Sequence, residues 1–131
     1  MATIRKVFEV TAPAERVWDI FRDVGAVHTR LAPGFVVDTK LDADARVVTF
    51  ANGFVARERI VAVNDELRRL AYAAVLKEGQ HHNASFEVTA LSNDRTRIVW
   101  TTDVLPDAVV ATVGPMIEHG TEVMRETLSR C

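Results

Sequence analysis

The chain has almost no cysteine and few glycines, and these scarcities exclude several kinds of site. The single cysteine, Cys131, stands at the last position, so no intrachain disulfide can form and we expect this thiol to be a poor nucleophile. The 6 glycines are isolated from one another, which excludes a glycine-rich phosphate-binding loop. The G-x-S-x-G nucleophile motif is absent as well. Nucleophilic catalysis and nucleotide binding are therefore not expected.

Long apolar runs and an excess of basic charge are also lacking. No apolar run approaches the roughly 18 residues that a membrane span needs, and the first ten residues lack the apolar segment of a signal peptide. The formal net charge is −2 and the arginines are scattered, so there is no basic surface for nucleic acid. We expect a cytoplasmic protein with no membrane insertion and no nucleic-acid partner.

The composition that is present is typical of one globular domain. The chain has 131 residues, of which 48% are hydrophobic and 26% are charged. This length is sufficient to bury a hydrophobic core without disulfides or metals. There is no internal repeat, low-complexity tract or linker-like stretch. Residues 1–131 are therefore predicted to form a single domain.

Hydrophobic periodicity predicts the order of the secondary-structure elements. Residues 4–11 alternate as a strand, Thr11 is the expected N-cap of a helix through AERVWDIFRDV, and a second short helix ends before Pro33. Period-two alternation then predicts six strands, and Asn52-Gly53 is the strongest hairpin signal between them. The strands lie at about 35–41, 45–51, 54–63, 67–76, 82–91 and 95–104, and a helix follows at about 107–129.

This order predicts an α+β architecture. Consecutive strands joined by tight turns form an antiparallel meander, here a curved sheet of about seven strands. The long C-terminal helix packs on this sheet, and two short helices follow the first strand. Such an arrangement can leave a hollow between the sheet and the helix.

Strand alternation predicts which side chains face that hollow. The even-numbered positions of the last four strands are the apolar ones, so we expect them to face inward. For the hairpin that turns near Asp94, the expected register opposes Val88 to Trp100 and Phe86 to Thr102. The same inward positions also contain polar side chains, among them Glu58, Tyr72, Thr102 and His82.

Glu58 is the most informative of these, because a carboxylate on an apolar face needs a partner, water or a raised pKa. One interpretation pairs it with a cation such as Arg30 or Arg46 in a structural role. The other makes it a polar anchor, or a proton donor and acceptor, in a ligand cavity. Both interpretations stay open at this point.

The histidines do not predict a metal site. His81 and His82 are neighbours in a strand, so they point to opposite faces and cannot bind the same ion. His28 and His119 lie on separate predicted elements with no ligand spacing. We expect no metal and no other cofactor. His82 is expected at the rim of the hollow and His81 on the outer face.

Three stretches resemble a known family: TAPAERVWDIFRD, ANGFVARERIVAVNDELRRLAY and IVWTTDVLPD. With the order of elements, they resemble the START-like, Bet v 1-like (SRPBCC) superfamily of helix-grip folds, in its bacterial polyketide cyclase/dehydrase branch. The resemblance covers nearly the whole chain. It implies an internal cavity for a hydrophobic or aromatic small molecule, closed by the last helix. It further implies that Glu58 points into the cavity, that Tyr72 lies opposite it, and that Arg30 lines the wall.

The leading hypothesis is therefore a domain that binds a hydrophobic or aromatic small molecule. One alternative is a cofactor-free cyclase or dehydratase with Glu58 as its acid/base, and another is a packed domain that acts through protein–protein contacts. A homodimer is left open. The expected ligand-binding residues come from the inward strand positions, the apolar face of the last helix and the resemblance: Arg30, Glu58, Tyr72, His82, Phe86, Trp100, Thr102, Ile117, Gly120 and Met124.

Overall fold

The computed structural model describes residues 1–130, so the expectation for Cys131 lies outside the described residues. A seven-stranded antiparallel sheet has the strand order β1-β7-β6-β5-β4-β3-β2. Consecutive strands from β2 to β7 pair with each other, and β1 pairs with β7 at the end of the meander. The strands are β1 (Ala2–Val10), β2 (Val36–Asp42), β3 (Ala45–Phe50), β4 (Val55–Asn64), β5 (Arg69–Ala74), β6 (His81–Ser92) and β7 (Arg95–Leu105).

Two helical segments connect β1 to β2: the helix α1 (Ala14–Arg22) and a π-helical turn (Val27–Leu31). A short 3-10 turn (Asp107–Val109) and the long helix α2 (Val110–Ser129) follow β7. The predicted α+β helix-grip fold is confirmed. Within residues 1–130, no helix has the length and apolar character that crossing a membrane requires.

The start of α1 differs from the expectation. Pro13, with φ −65° and ψ 143°, occupies the N-cap position, so the predicted N-cap at Thr11 is wrong. Proline fits this position, because an N-cap residue has an extended backbone and its missing N–H would have had no partner within the helix. The helix then buries Val17, Trp18 and Phe21 against the sheet.

Period-two alternation along the strands determines the two faces of the sheet. In β7, the even-numbered residues from Thr96 to Val104 are buried, whereas their odd-numbered neighbours are more exposed. The inner face and α1 enclose the most tightly buried part of the core, where Phe21, Leu70, Ile98 and Leu128 are almost inaccessible to solvent. The predicted inward face of β7 is thus the observed one.

The register of the β6–β7 hairpin was predicted incorrectly. Val88 lies opposite Ile98 and Phe86 opposite Trp100, two residues away from the expected pairs. The turn places Ser92 opposite Arg95, and a β-bulge between Ala90 and Ser92 adds a second one-residue shift. Because the total shift is even, every side chain keeps its predicted face.

Candidate functional site

A pocket of about 710 Å³ opens between the inner face of the sheet and α2. Its wall is mostly apolar and comes from the π-helical turn, the strands, the 3-10 turn and α2, mainly the N-terminal half of that helix. The apolar lining includes Val27, Leu31, Phe35, Val36, Val48, Phe50, Phe54, Ala56, Ala74, Phe86, Trp100, Val113, Met116, Ile117 and Met124. The few polar side chains inside it are therefore the groups that can orient a bound molecule.

A buried ion pair lies on the pocket wall. Arg46 and Glu58 are direct cross-strand partners in β3 and β4, and both side chains point to the inner face. Arg46 Nε donates to Glu58 Oε1 over 2.8 Å, and the side chains are only 5% and 11% exposed. Arg46 Nη1 also donates to the backbone oxygen of Val24 at 3.4 Å. Arg46, one of the two partners expected from the sequence, is thus the cation that balances Glu58.

Tyr72 extends this polar wall on β5. The guanidinium carbon of Arg46 lies 5.2 Å from the centroid of the Tyr72 ring, a distance typical of a cation–π contact. Burial raises the pKa of the Tyr72 phenol and the charge of Glu58 raises it further, whereas Arg46 and Trp100 act in the opposite direction. The phenol is consequently neutral around physiological pH and can donate or accept a hydrogen bond.

The two adjacent histidines point to opposite faces of β6. His82 lines the pocket, with its ring centroid 6.4 Å from that of Tyr72. Burial lowers the pKa of His82, and neighbouring His81 lowers it further. His82 Nε2 is buried and has no hydrogen-bond partner within residues 1–130. His81 is exposed and its Nε2 lies 2.9 Å from Asn83 Oδ1. His82 is thus a neutral polar group available inside the pocket.

Two groups of aromatic rings line the pocket. In one group, the rings of Phe86 and Trp100 stack with centroids 4.8 Å apart. In the other, the ring centroid of Phe35 lies 5.2 Å from that of Phe50, and that of Phe50 lies 6.0 Å from that of Phe54. Phe35 and Phe50 were not among the expected site residues, although continuing the even-numbered pattern along β3 would have placed Phe50 inward. Aromatic rings of this kind can stack on a planar apolar molecule or meet it edge to face.

Arg30 lies outside the pocket, contrary to the expectation. Its guanidinium donates to Asp19 at 2.8 Å and to Asp23 at 2.9 Å, and its side chain is 38% exposed. These two hydrogen bonds raise the pKa of Arg30. Because α1 and the residue after it supply two carboxylates on the outer side, Arg30 is held there and Arg46 takes the inner position.

Two further expected residues pack beside the pocket without lining it. Thr102 is completely buried, and its hydroxyl has no hydrogen-bond partner within the described chain. Gly120 lies against aromatic rings: a Cβ atom there would be 3.0 Å from Phe35 and 3.5 Å from Trp100. The absence of a side chain therefore lets these rings approach α2. The expected residues that do line the pocket are Glu58, Tyr72, His82, Phe86, Trp100, Ile117 and Met124.

The pocket has no cluster of side chains suited to a metal ion. Over the part of the chain that the structure describes, no three His, Cys, Asp or Glu side chains converge closely enough to hold one. The chemistry that the pocket can provide comes from an ion pair, a phenol and an imidazole within an apolar wall, together with the exposed side chains of Lys77, Gln80 and Thr112.

Comparison with known proteins relates this chain to a family. Residues 1–131 match the family described as "Polyketide cyclase / dehydrase and lipid transport". No curated protein matches the sequence significantly. A Thermobifida fusca protein solved by NMR is similar, with 26% identity, a TM-score of 0.79, and coverage of 98% of this chain and 91% of that chain.

Two further solved structures share the fold. A START superfamily protein from Mycobacterium smegmatis has 16% identity, a TM-score of 0.78, and coverage of 98% of this chain and 97% of that chain. Norcoclaurine synthase from Thalictrum flavum, in complex with dopamine and hydroxybenzaldehyde, has 22% identity, a TM-score of 0.75, and coverage of 98% and 84%. Since the family match spans the whole sequence, the chain belongs to the polyketide cyclase / dehydrase and lipid transport family.

Proposed function

We propose that this protein binds a hydrophobic or aromatic small molecule in the pocket between the sheet and α2. The observation that carries the proposal is an apolar pocket of about 710 Å³ with a buried ion pair on its wall. Ligand pockets typically measure roughly 300–1,000 Å³ and combine apolar walls with a few polar groups that fix orientation. This volume supports small-molecule binding over the alternative of a packed domain that acts only through protein contacts.

The aromatic walls favour a planar ligand. Burial of apolar surface contributes about 25 cal/mol per Å², and aromatic pairs add to this when the rings stack or meet edge to face. Phe86, Trp100, Phe35 and Phe50, which all line the pocket, provide such partners. Norcoclaurine synthase, which has the same fold, was solved with dopamine and hydroxybenzaldehyde, both aromatic molecules. An aromatic ligand is consistent with that likeness.

A matched pair of variants on β5 tests the proposal. Ala74 lines the pocket, whereas its neighbour Ala73 points to the outer face. With the neutral fluorescent probe N-phenyl-1-naphthylamine, we expect wild type and Ala73→Phe to bind equally. Ala74→Phe should lower the affinity about tenfold or more, because a phenyl ring would occupy the space that the probe needs. Equal affinity in both variants, or no binding to the wild type, would contradict the proposal.

Catalysis with Glu58 as general acid or base stays a prediction. A general base must face the substrate, and it must lie within hydrogen-bond reach of the proton that it takes. As a carboxylate in the pocket wall, Glu58 meets the first of these two requirements only. Once a ligand is known, Glu58→Gln distinguishes a protein that only binds it from an enzyme that converts it. A binding protein should show changed affinity or selectivity only, whereas an enzyme should bind its substrate and lose turnover.

A further inference from the structure

The sheet register arranges polar groups of the pocket in one row across four strands. Arg46 lies opposite Glu58, Glu58 opposite Ala74, and Ala74 opposite His82. Neighbouring strands are about 4.8 Å apart, so the backbones of Glu58 and His82 are separated by roughly 10 Å. All four side chains line the pocket. The row therefore has a polar group at each end and a methyl group between them.

Ala74 turns this row into a notch. Its methyl group leaves open space between the longer side chains of Glu58 and His82. Tyr72, two positions away on the same face of β5, borders the notch and contacts both ends. Its ring centroid lies 5.2 Å from the Arg46 guanidinium carbon and 6.4 Å from the His82 ring centroid. We call the group Arg46, Glu58, Tyr72, Ala74 and His82 the polar notch.

Both ends of the polar notch keep unused hydrogen-bonding capacity. Arg46 bonds through Nε and Nη1, and Glu58 accepts through Oε1. Within residues 1–130, Arg46 Nη2 and the second carboxylate oxygen of Glu58 form no hydrogen bond. At the opposite end, His82 Nε2 is buried without a partner. The Arg46–Glu58 end can therefore bond to one polar group of a ligand directly, and the His82 end can do so when its imidazole turns Nε2 toward the pocket.

The notch carries no net charge. The charges of Arg46 and Glu58 cancel within their ion pair. Burial favours the neutral forms of both Tyr72 and His82, since it raises the pKa of the phenol and lowers the pKa of the imidazole. A charged group that entered the notch would lose its hydration without gaining a counter-ion. Lys77, the other cation that lines the pocket, is exposed and is not part of the notch, so within the notch the electrostatics favour a neutral ligand.

We propose that the polar notch selects a neutral planar molecule with a hydroxyl or carbonyl oxygen at each of two opposite edges. One oxygen bonds to the Arg46–Glu58 pair, the other bonds to His82, and the ring lies over Ala74 beside Tyr72. This inference rests on the proposed function, since it specifies the class of aromatic ligand that the pocket takes.

The test compares four ligands that displace N-phenyl-1-naphthylamine from the wild-type protein: naphthalene, 2-naphthol, 2,6-dihydroxynaphthalene and 2-naphthoate. Each hydroxyl should tighten binding about 3- to 10-fold, the effect of one added hydrogen bond. We expect 2-naphthoate to bind at least about tenfold more weakly than 2-naphthol, because its carboxylate has no counter-ion in the notch.

Variants at the two ends of the notch locate the contacts. His82→Leu should abolish the gain from the second hydroxyl, so that 2,6-dihydroxynaphthalene binds no more tightly than 2-naphthol. The control His81→Leu, on the outer face, should preserve that gain. Glu58→Gln leaves the charge of Arg46 unbalanced, so the preference between 2-naphthol and 2-naphthoate should shift toward the anion by about tenfold or more. If that variant does not fold, the His82→Leu comparison decides.

The outcomes separate this inference from the proposed function. If none of the four ligands displaces the probe, and the probe itself does not bind, the pocket does not bind aromatic molecules and both proposals fail. If naphthalene binds as tightly as 2,6-dihydroxynaphthalene, or 2-naphthoate as tightly as 2-naphthol, the pocket binds ligands but the polar notch does not select them.

Discussion

Helix α2 meets the same sheet in two different ways along its length. In its C-terminal half, Gly120, Thr121 and Leu128 are buried, and Leu128 has no exposed surface. In its N-terminal half, Val113 and Met116 are only half-buried and border the pocket. One half of the helix closes the core, whereas the other half covers an open space.

The difference comes from the size and polarity of the side chains beneath each half. In the packed region, Phe21, Leu70 and Ile98 are almost completely buried within one hydrophobic cluster, and such interiors reach the density of organic crystals. Beneath the N-terminal half, the sheet instead presents Ala56 and Ala74 beside the Arg46–Glu58 pair. A change in inward side chains, on one continuous sheet, is thus sufficient to produce a core at one end and a pocket at the other.

The largest expected effect breaks the ion pair in the open region. Arg46→Met should lower the free energy of unfolding by about 3–5 kcal/mol, because it leaves the buried Glu58 carboxylate unpaired. The double variant Arg46→Met/Glu58→Leu should recover most of that loss, because neither charge remains. Urea denaturation of wild type, single and double variants measures both values. A single variant as stable as wild type would show that Glu58 is well hydrated in the pocket.

The second prediction compares truncations in the two halves of α2. Leu128→Ala should cost about 2–5 kcal/mol, because it leaves a cavity in a closely packed region. Met116→Ala should cost less than about 1 kcal/mol, since Met116 already borders open space. Thermal and urea unfolding of the two variants measure the contrast. Equal costs would mean that the N-terminal half of α2 is packed as tightly as the C-terminal half.

The third prediction is a pH dependence of stability from His82. Burial lowers the pKa of His82 in the folded protein below its ordinary value of 6.5. Between the lowered pKa of the folded protein and the ordinary value of about 6.5, the unfolded chain binds more protons than the folded protein. The free energy of unfolding therefore falls as the pH decreases below about 6.5. Unfolding measured from pH 7.5 to pH 5 should therefore show a smaller acid loss in His82→Leu than in wild type. His81→Leu, the control on the outer face, should keep most of the wild-type slope.

The smallest effect is expected at Arg30. Its ion pairs with Asp19 and Asp23 are partly exposed, and such pairs contribute about 0–1 kcal/mol. Arg30→Ala should therefore change stability little and leave the affinity for N-phenyl-1-naphthylamine unchanged. A clear loss of probe affinity would show that Arg30 contributes to ligand binding, as the sequence predicts.

Much of the fold follows from local patterns. The period-two alternation of β4 to β7 assigns Glu58, Tyr72 and His82 to the inner face, because successive side chains in a strand point to opposite sides. The same rule separates His81 from His82. Turn signals such as Asn52-Gly53 delimit the strands. These features depend only on residues close together in the chain.

The errors arise where residues distant in the chain must meet. The bulge near Ala90 shifts the β6–β7 register. Whether such a bulge forms depends on how the two strands pack together, which the local sequence does not determine. Arg30 and Arg46 were both candidate partners for Glu58. The choice between them depends on which carboxylates lie nearby in space, and Asp19 and Asp23 hold Arg30 on the outer side.

The sequence by itself determined the order of the elements, the inward face of each late strand and the resemblance that identifies the family. Only the tertiary structure decided that Arg46 neutralises Glu58, that Ala74 lies between Glu58 and His82, and that α2 packs at one end and covers a pocket at the other. Periodicity acts through the geometry of neighbouring residues, whereas ion-pair choice and pocket shape depend on distances that exist only after the sheet has closed around the helix.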